Sequence, residues 1–265
     1  MKIGIDAGGT LIKVVTEMNN ERTYKKWLTT EIDQVAEWLS QLDDVDISIT
    51  GGKAQYLDSL IKHNVKRSIE FDATYKGIQL FLKENDIHLN TYIFSNVGTG
   101  TSIHYATTHN QERAGGTGAG GGMIQGLGYL LTQISDYDEL VQTALNGNRD
   151  KIDLKVKHIY KDDKTPISGD LTAANFGHVL QHINEDFPNS DRLAAVMGIV
   201  GETVTTVSIH AARQFKTENV VFIGSSFINN ELLKNIVVDY TVLRGLNPYF
   251  IENGEFSGAL GSIYC

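Results

Sequence analysis

Residues 2–15 read KIGIDAGGTLIKVV, and this stretch decides the fold. Two apolar runs flank Gly8 and Gly9, which is the pattern of a β-hairpin. Asp6 ends the first run, and the glycines behind it let backbone N–H groups approach an anion without a Cβ in the way. Because a carboxylate beside such a loop suits magnesium and phosphate, the stretch predicts a phosphate-binding loop. A plain hairpin with a turn-favouring aspartate is the alternative that it leaves open.

The residues around this hairpin extend it into a mixed sheet. Strands are predicted at 2–6, 11–18, 23–29 and 46–50, with a helix that begins near Thr30 before the last of them. Hairpins pair strands antiparallel, whereas the helix provides a crossover to a parallel strand. The fold class is therefore predicted to be α/β.

The rest of the chain continues as strands and helices. Further strands are predicted at 67–71, 91–96, 101–108 and 219–223. Helices are predicted at 54–63, 74–83, 117–134, 137–145, 171–183 and 191–213, and the polar stretch at 148–169 is predicted to be a loop or a weak excursion. The last helix bears apolar residues on one stripe. The boundary between the two halves is placed near Asn96.

The composition limits the class of protein. The 265 residues include 23 basic and 32 acidic side chains, a formal net charge of -9, with no basic stripe. Binding to nucleic acid or to an anionic membrane surface is therefore not expected. No window approaches 18 uninterrupted apolar residues, and Asp6 falls inside what would be a signal-peptide core, so a cytoplasmic protein is expected. The single cysteine, Cys265, excludes disulfides, thiolate metal sites and a Cys/His nucleophile in a mid-chain pocket.

Two further glycine-rich stretches follow apolar strands. Residues 96–102 read NVGTGTS between two predicted strands, and residues 220–227 read VVFIGSSF. The stretch at 220–227 alone is consistent with an ordinary strand-to-helix turn, in which a serine caps the helix. The two hairpins at 4–10 and 96–102 are both rich in glycine and threonine, and they are difficult to explain as turns alone, because hairpins do not need hydroxyl groups there. The glycine after the buried strand at 220–223 lets a flat ring approach the backbone.

Two other nucleotide-binding motifs are excluded. Residues 116–121 fit G-x-G-x-x-G, but 111–114 is not an apolar strand, and the acidic residues about 20 positions on lie in a helical stretch. A dinucleotide-binding fold is therefore not expected. The chain has no G-x-x-x-x-G-K-[ST], which excludes the P-loop class. No metal site is expected beyond magnesium bound with a phosphate ligand.

Taken in order, these stretches resemble the phosphate 1, phosphate 2, adenosine and C-terminal connecting segments of the actin-like ATPase and sugar kinase superfamily. The connecting segment is EFSGALGS at 255–262, and the resemblance spans residues 3–262. Within the superfamily the chain is similar to the type II pantothenate kinases of the staphylococcal type. The closer resemblance lies in DAGGTLIK at 6–13, SIEFDA at 68–73, ERAGGT at 112–117, GGMIQGL at 121–127 and FSGALG at 256–261.

The resemblance implies a two-lobed, ribonuclease H-like α/β fold, in which mixed sheets flanked by helices enclose a central ATP cleft. The N-terminal lobe would be residues 1–95, joined by a C-terminal helix at 254–265, and would hold the first phosphate loop and the catalytic glutamate. The C-terminal lobe would be residues 96–253, with the second phosphate loop and the adenosine segment. A homodimer is also implied, with helix 191–213 in the interface; the alternative is that its stripe packs only on its own sheet.

By the same resemblance Glu70 is the catalytic base, Arg113 lies against the substrate, and Asp6 organises magnesium with ATP, directly or through water. The implied ATP-binding residues are Asp6, Ala7, Gly8, Gly9, Thr10, Leu11, Ile12, Lys13, Thr99, Gly121, Gly122, Met123, Ile124, Gln125, Tyr137 and Ser225. From the residues alone, Glu70 ends an apolar strand and would face a cleft, against the alternative of a surface glutamate. Arg113 precedes Gly115 and Gly116, which favours anion contact, against the alternative of a solvated loop charge.

The implied activity is transfer of the γ-phosphoryl group of MgATP to a primary hydroxyl of pantothenate, giving 4'-phosphopantothenate in the first step of coenzyme A synthesis. An amino-sugar kinase of the same superfamily is one alternative, although the zinc-bearing kinases there use a cysteine cluster that this chain lacks. A nucleotide-dependent switch protein is another, although 265 residues leave little room for the large inserted subdomains of such proteins.

Overall fold

Two five-stranded mixed sheets form the frame of the protein in the computed structural model, which describes residues 1–19, 21–160 and 164–265. The first consists of β1 (Lys2–Ala7), β2 (Leu11–Met18), β3 (Glu21–Leu28), β4 (Asp46–Thr50) and β5 (Val65–Arg67), in the order β3-β2-β1-β4-β5. The second consists of β6 (Thr91–Val97), β7 (Thr101–Thr107), β8 (Gln111–Thr117), β11 (Asn219–Ile223) and β12 (Asn247–Phe250), in the order β12-β11-β6-β7-β8. The predicted α/β class is confirmed.

The two sheets share one topology. In the first, β1, β2 and β3 form an antiparallel meander, and β4 and β5 continue the sheet in parallel on the other side of β1. In the second, β6, β7 and β8 form the meander, and β11 and β12 continue in parallel beside β6. The predicted glycine loops at 8–10 and 98–100 are therefore equivalent turns, each at the carboxyl end of the first strand of its sheet.

Helices cover both sheets and bury two apolar cores. The first sheet carries α1 (Ile32–Ser40) and α2 (Ala54–Leu60); the second carries α4 (Gly121–Thr132), α5 (Tyr137–Ala144), α7 (Asn189–Gln214) and α8 (Glu231–Leu243). Ile5, Leu39 and Ile47 are fully buried in the first core, and Ile93 and Val200 in the second. A two-stranded ribbon of β9 (Leu154–Lys155) and β10 (Thr172–Ala174), with α6 (Val156–Tyr160), lies outside both sheets.

A pair of helices, α3 (Glu70–Glu84) and α9 (Ser257–Ser262), joins the two sheets. Their backbones touch: a Cβ on Gly77 would lie 1.9 Å from the Ser257 carbonyl oxygen, and one on Gly261 would lie 1.7 Å from that of Ala73. Only glycine permits so close an approach. A third core around this pair takes residues from both sheets, so the pair holds the first turn of α3 at the cleft between them.

The long helix α7 is buried within its own chain. Of its predicted stripe, Leu193, Val196, Val200 and Val204 are at most 1 % exposed, Ala211 is 7 % exposed, and Val207 is half-buried. Among the described residues α7 is also the one helix long and apolar enough to cross a membrane, but 72 % of its most apolar window is buried inside the fold. Most of the stripe therefore packs on its own protomer. This is the alternative to the prediction that the helix lies in a dimer interface.

The structure corrects two predicted elements beside the cleft. The strand predicted at 67–71 ends as β5 at Arg67, and Glu70 opens α3 instead of ending a strand. The helix predicted at 117–134 starts at Gly121, because residues 111–117 form β8. A strand thus does precede the G-x-G-x-x-G stretch. It is antiparallel to β7, and α4 leads to α5 rather than to a parallel strand, so a dinucleotide-binding fold stays excluded.

One prediction outside the cleft is also wrong. The helix predicted at 171–183 is the short strand β10 followed by a 3-10 turn at Val179–His182, with Leu180 and Ile183 exposed. The polar stretch at 148–169, predicted as a loop or a weak excursion, contains the short elements β9 and α6. Residues 161–163 of that loop lie outside the described residues. Apolar spacing favoured a helix at 171–183, but Leu180 and Ile183 are left exposed, and such helices gain their stability from packing.

Candidate active site

The first phosphate loop joins β1 to β2 and surrounds the Asp6 carboxylate. The Gly8 N–H donates to the Leu11 carbonyl at 3.0 Å and closes the turn. The Lys13 Nζ lies 3.7 Å from Asp6 Oδ2, because the two residues are directly paired on neighbouring strands. Gly51 and Gly258 make room for this carboxylate. A Cβ on Gly51 would lie 2.7 Å from Asp6 Oδ1, and a Cβ on Gly258 would lie 3.1 Å from Asp6 Oδ2. Gly51 also has φ +96°, which other residues rarely adopt.

The second loop joins β6 to β7 and touches the first. The hydroxyl groups of Thr10 and Thr99 are hydrogen bonded at 2.7 Å. The N–H groups of Gly121 and Gly122, at the start of α4, donate to the carbonyls of Gly98 and Thr99 at 2.7 and 2.9 Å. These two glycines therefore bring α4 against the loop, and their N–H groups are already engaged.

The third turn, after β11, packs on the second loop. Gly224 has φ +117°, and a Cβ there would lie 2.3 Å from the Val97 carbonyl oxygen. The Ser226 hydroxyl donates to the Gly98 carbonyl at 2.9 Å, and the Tyr137 hydroxyl donates to the Ser226 carbonyl at 2.6 Å. Burial raises the pKa of Tyr137 to about 12. Tyr137 is thus a fixed neutral donor whose ring is held beside the cleft.

Two adjoining cavities lie between these turns. The Glu70 cavity, about 340 Å³, is lined by Asp6, Lys13, Glu70 and the two phosphate loops. The Tyr137 cavity, about 290 Å³, is lined by Tyr137, Gln125, Lys26 and the start of α4. Both cavities share the wall formed by Thr10, Leu11, Gly98, Thr99 and Ser225. Together they form one cleft that is acidic at the Glu70 end and more apolar at the Tyr137 end.

Most of the predicted site residues meet in this cleft. The predicted residues that line the Glu70 cavity are Asp6, Gly8, Gly9, Thr10, Leu11, Lys13, Glu70, Thr99 and Ser225. Those that line the Tyr137 cavity include Gly121, Gly122, Gln125 and Tyr137. Five predicted residues line neither cavity: Ala7, Ile12, Arg113, Met123 and Ile124. Ala7, Ile12 and Ile124 are fully buried in the apolar cores, whereas Met123 is half-buried and packs against one of them.

Glu70 and Asp6 form an acidic pair with one lysine. Burial raises the pKa of Glu70, the nearby Asp6 charge raises it further, and Lys13 opposes both effects. Burial likewise raises the pKa of Asp6, again against the pull of Lys13. A carboxylate whose pKa lies above its ordinary value is a better proton acceptor, so Glu70 has the chemistry of a general base.

Arg113 lies on β8, at the rim of the cleft rather than in either cavity. It is exposed and is paired across the strands with His104. Its guanidinium runs beside Gly116, where a Cβ would lie 2.9 Å from Nη2. Gly116 is paired with Ser102, which lines the Glu70 cavity, so the guanidinium extends toward that cavity.

Several cleft residues are absent from the predicted set. Asn96, Ser102 and Thr117 line the Glu70 cavity, and Lys26 lines the Tyr137 cavity. Asn96 and Ser102 belong to the predicted second phosphate loop, so their place at its strand ends is a usable signal. Lys26 has no such signal, because one lysine in an exposed strand looks like any surface charge.

The chain also contains one H-x-x-x-H pair, His178 and His182. Their ring centroids are 4.6 Å apart, edge to face. His178 Nδ1 bonds to the Asp150 carbonyl and His182 Nδ1 to Glu185. Within residues 1–19, 21–160 and 164–265, no three His, Cys, Asp or Glu side chains are grouped to hold a metal.

Solved structures share this fold at low sequence identity. The activator of 2-hydroxyisocaproyl-CoA dehydratase from Clostridium difficile, solved with ADPNP, has a TM-score of 0.67 at 16 % identity and covers 99 % of this chain and 93 % of its own. A ROK family glucokinase from Streptomyces griseus, solved with glucose and AMPPNP, has a TM-score of 0.61 at 12 % identity, covering 99 % and 98 %. An archaeal actin homologue has a TM-score of 0.52 at 11 % identity, also covering 99 % and 98 %. The actin-like ATPase and sugar kinase fold is confirmed.

Sequence relatives are much closer. The type II pantothenate kinase of Staphylococcus saprophyticus is 60 % identical over 264 residues, covering 100 % of both chains. That of Staphylococcus aureus strain USA300 is 59 % identical over 264 residues, covering 100 % of this chain and 99 % of its own. The family model described as Fumble matches residues 2–265. The chain therefore belongs to the Fumble family, among the type II pantothenate kinases.

Proposed function

We propose that this protein transfers the γ-phosphoryl group of ATP to the primary hydroxyl of pantothenate and so forms 4'-phosphopantothenate, the first step of coenzyme A synthesis. One observation carries the proposal beyond family membership. The two phosphate loops meet through Thr10 and Thr99 at 2.7 Å, and Glu70 lines the cavity that they enclose. A phosphoryl group held by both loops lies within the same cavity as a general base.

The shape of the cleft supports one orientation of ATP. The nucleoside fits the Tyr137 cavity, where Gln125 and the start of α4 form the wall. The phosphate chain fits the shared wall at Thr10 and Thr99 and points its γ-phosphate toward Glu70. The ATP-binding roles of residues 6–13, Thr99, 121–125, Tyr137 and Ser225 are part of this proposal, with Ala7, Ile12, Met123 and Ile124 acting through their backbone.

Magnesium fits the acidic end of the cleft. The negative charge of Asp6 disfavours the charged form of Glu70 and raises its pKa. Burial raises the pKa of both carboxyl groups, and Lys13 opposes these effects only in part. A divalent cation arriving with ATP would relieve this repulsion, so we assign it to Asp6, directly or through water. The ion supplies neutralisation of the charge that builds on the phosphates during transfer.

The chain's own residues then perform the transfer by positioning and proton acceptance. Glu70 takes the proton of the attacking hydroxyl, and Lys13 faces the charge that develops on the phosphoryl group. Arg113, at the rim, is proposed to bind the anionic end of the acceptor. The lobes of this proposal are residues 1–95 with 254–265, and 96–253, and the enzyme is proposed to be cytoplasmic.

The acceptor is tested by supplying ATP with pantothenate, with N-acetylglucosamine or with no acceptor. We expect ATP turnover with pantothenate alone and a phosphorylated product of the mass of 4'-phosphopantothenate. Turnover with the amino sugar would favour an amino-sugar kinase. Equal turnover in all three tubes would favour a switch ATPase, and either result would contradict the proposed function.

Arg113→Lys tests the proposed substrate contact. Lysine keeps the charge but loses the planar fork that binds a carboxylate through two hydrogen bonds, so the KM for pantothenate should rise by about tenfold. The matched control is Arg67→Lys, because Arg67 pairs with Asp58 at 3.7 Å on the surface. Steady-state titration of pantothenate measures both. If Arg113→Lys had the wild-type kcat and the wild-type KM for pantothenate, Arg113 would be a solvated surface charge and the proposed substrate contact would be wrong.

A homodimer is also proposed, by likeness to the family. Most of the apolar stripe of α7 is covered by its own chain, so we place the interface on other surfaces. The end of α8 offers one, since Val242 is 57 % and Leu243 is 51 % exposed. Sedimentation at micromolar concentration should give the mass of two chains. A single 29.2 kDa species would contradict the dimer.

A further inference from the structure

Three charged side chains cross the first sheet in one row. Asp6 is paired with Lys13 on β2, and Lys13 is paired with Lys26 on β3. Directly paired residues of antiparallel strands point to the same face of a sheet, so the three lie side by side. This face looks into the cleft, because Asp6 and Lys13 line the Glu70 cavity and Lys26 lines the Tyr137 cavity.

Few cations face this cleft, although its proposed ligand is a polyanion. Among the described residues that line the two cavities, the side-chain cations are Lys13 and Lys26, against the carboxylates of Asp6, Glu70 and Asp138. Lys13 is already paired with Asp6. A triphosphate in the cleft needs further positive charge to offset its own. Among the lining residues that the structure describes, Lys26 is the other cation that can supply it.

Lys26 is held at the rim by a carboxylate outside the cavities. Its Nζ lies 3.0 Å from Oε1 of Glu255, in the turn before α9, and 5.2 Å from the centre of the Phe256 ring. The Lys26 side chain is 31 % exposed and that of Glu255 is 15 % exposed. The lysine is thus accessible to a ligand, while its partner is the more covered of the two.

We propose that Lys26, which is paired with Lys13 of the Glu70 cavity, binds the phosphate chain where that chain leaves the Tyr137 cavity for the shared wall, and that Glu255 competes with the nucleotide for it. The inference rests on the proposed function, because it takes ATP as the ligand. A phosphate chain carries more negative charge than one carboxylate and accepts more hydrogen bonds, so it draws the ammonium group away from Glu255. Glu255 thereby weakens nucleotide binding and holds Lys26 in an ion pair while the cleft is empty.

The first test compares AMPPNP with adenosine, which lacks phosphates, by titration calorimetry in excess magnesium. Lys26→Met should raise the Kd for AMPPNP by about tenfold and leave the Kd for adenosine unchanged, because a charge-assisted hydrogen bond to phosphate is lost. Lys25→Met is the matched control. Lys25 is the next residue of the same strand, points to the other face and lies 4.9 Å from the Trp38 ring centre, so both Kd values should stay at wild type.

The second test removes the competitor. Glu255→Gln keeps the shape of the side chain but frees Lys26, so the Kd for AMPPNP should fall by about threefold. This gain should vanish in the Lys26→Met, Glu255→Gln double variant, because the two residues act through one contact.

The outcomes separate the inference from the proposed function. If the pair is only a structural tie, Lys26→Met will change both Kd values alike or neither, and Glu255→Gln will not tighten binding; either result overturns the role of Lys26. If the wild-type protein binds neither AMPPNP nor adenosine, the proposed function fails and the inference fails with it.

Discussion

Asp6→Asn should lower kcat by about 10²- to 10³-fold while the protein stays folded. The substitution keeps the size of the side chain and removes the charge that we assign to magnesium and to the phosphate loop. The fold should tolerate it, because burial raises the pKa of Asp6 and so makes its charged form unfavourable in the folded chain. Steady-state kinetics and a thermal melt measure the two effects.

A surface aspartate of the same sheet provides the control. Asp46 opens β4 and pairs with Lys66 at 3.3 Å, at the end of the strand away from the cleft. Asp46→Asn should keep wild-type kcat, because exposed ion pairs contribute little. If Asp6→Asn turned over at the same rate as Asp46→Asn, the assignment of the 6–13 loop to phosphate and magnesium would be wrong.

Glu70→Gln should lose about 10²- to 10⁴-fold in kcat and still bind ATP, since general-base catalysis has this typical magnitude. The amide keeps the shape of the side chain but accepts no proton. The neighbouring acid in the first turn of α3, Asp72, accepts a hydrogen bond from Gln111 and lines neither cavity, so Asp72→Asn is the control for helix effects. Loss of ATP binding in Glu70→Gln with chemistry intact would move Glu70 to the nucleotide site.

The same residue sets the sign of the pH dependence. The base works only as a carboxylate, so kcat should fall as the pH drops through the raised pKa of Glu70. Because the Asp6 charge is one cause of that rise, Asp6→Asn should lower the pKa of Glu70. The residual activity of Asp6→Asn should therefore persist to lower pH than that of the wild type. If the fall of kcat on the acid side of the pH profile occurred at the same pH in Asp6→Asn as in the wild type, a group other than Glu70 would be titrating.

Much of the frame follows from local patterns in the sequence. The Gly-Gly turn between two apolar runs predicts the β1–β2 hairpin, and residues 96–102 predict its equivalent in the second sheet. The apolar stripe of residues 191–213 predicts α7 within a few residues of its ends. These elements are predictable because each one's pattern is complete within its own segment.

The parts that were missed depend on contacts between distant segments. β8 has the sequence QERAGGT and lies at an exposed edge, so no alternation of apolar residues marks it as a strand. The bond between Thr10 and Thr99 joins residues 89 positions apart, and the approach of Gly258 to Asp6 spans nearly the whole chain. A glycine at such a position indicates that another segment approaches closely, but the sequence does not show which segment it is.

The role of Glu70 as the general base is tested most directly by a crystal structure with AMPPNP, magnesium and pantothenate bound. We expect a Glu70 carboxylate oxygen to accept a hydrogen bond from the primary hydroxyl of pantothenate at about 3 Å, with that hydroxyl facing the γ-phosphate. The γ-phosphate should lie between the loops at Thr10 and Thr99. A primary hydroxyl held by another group, with Glu70 turned away from it, would contradict the central claim.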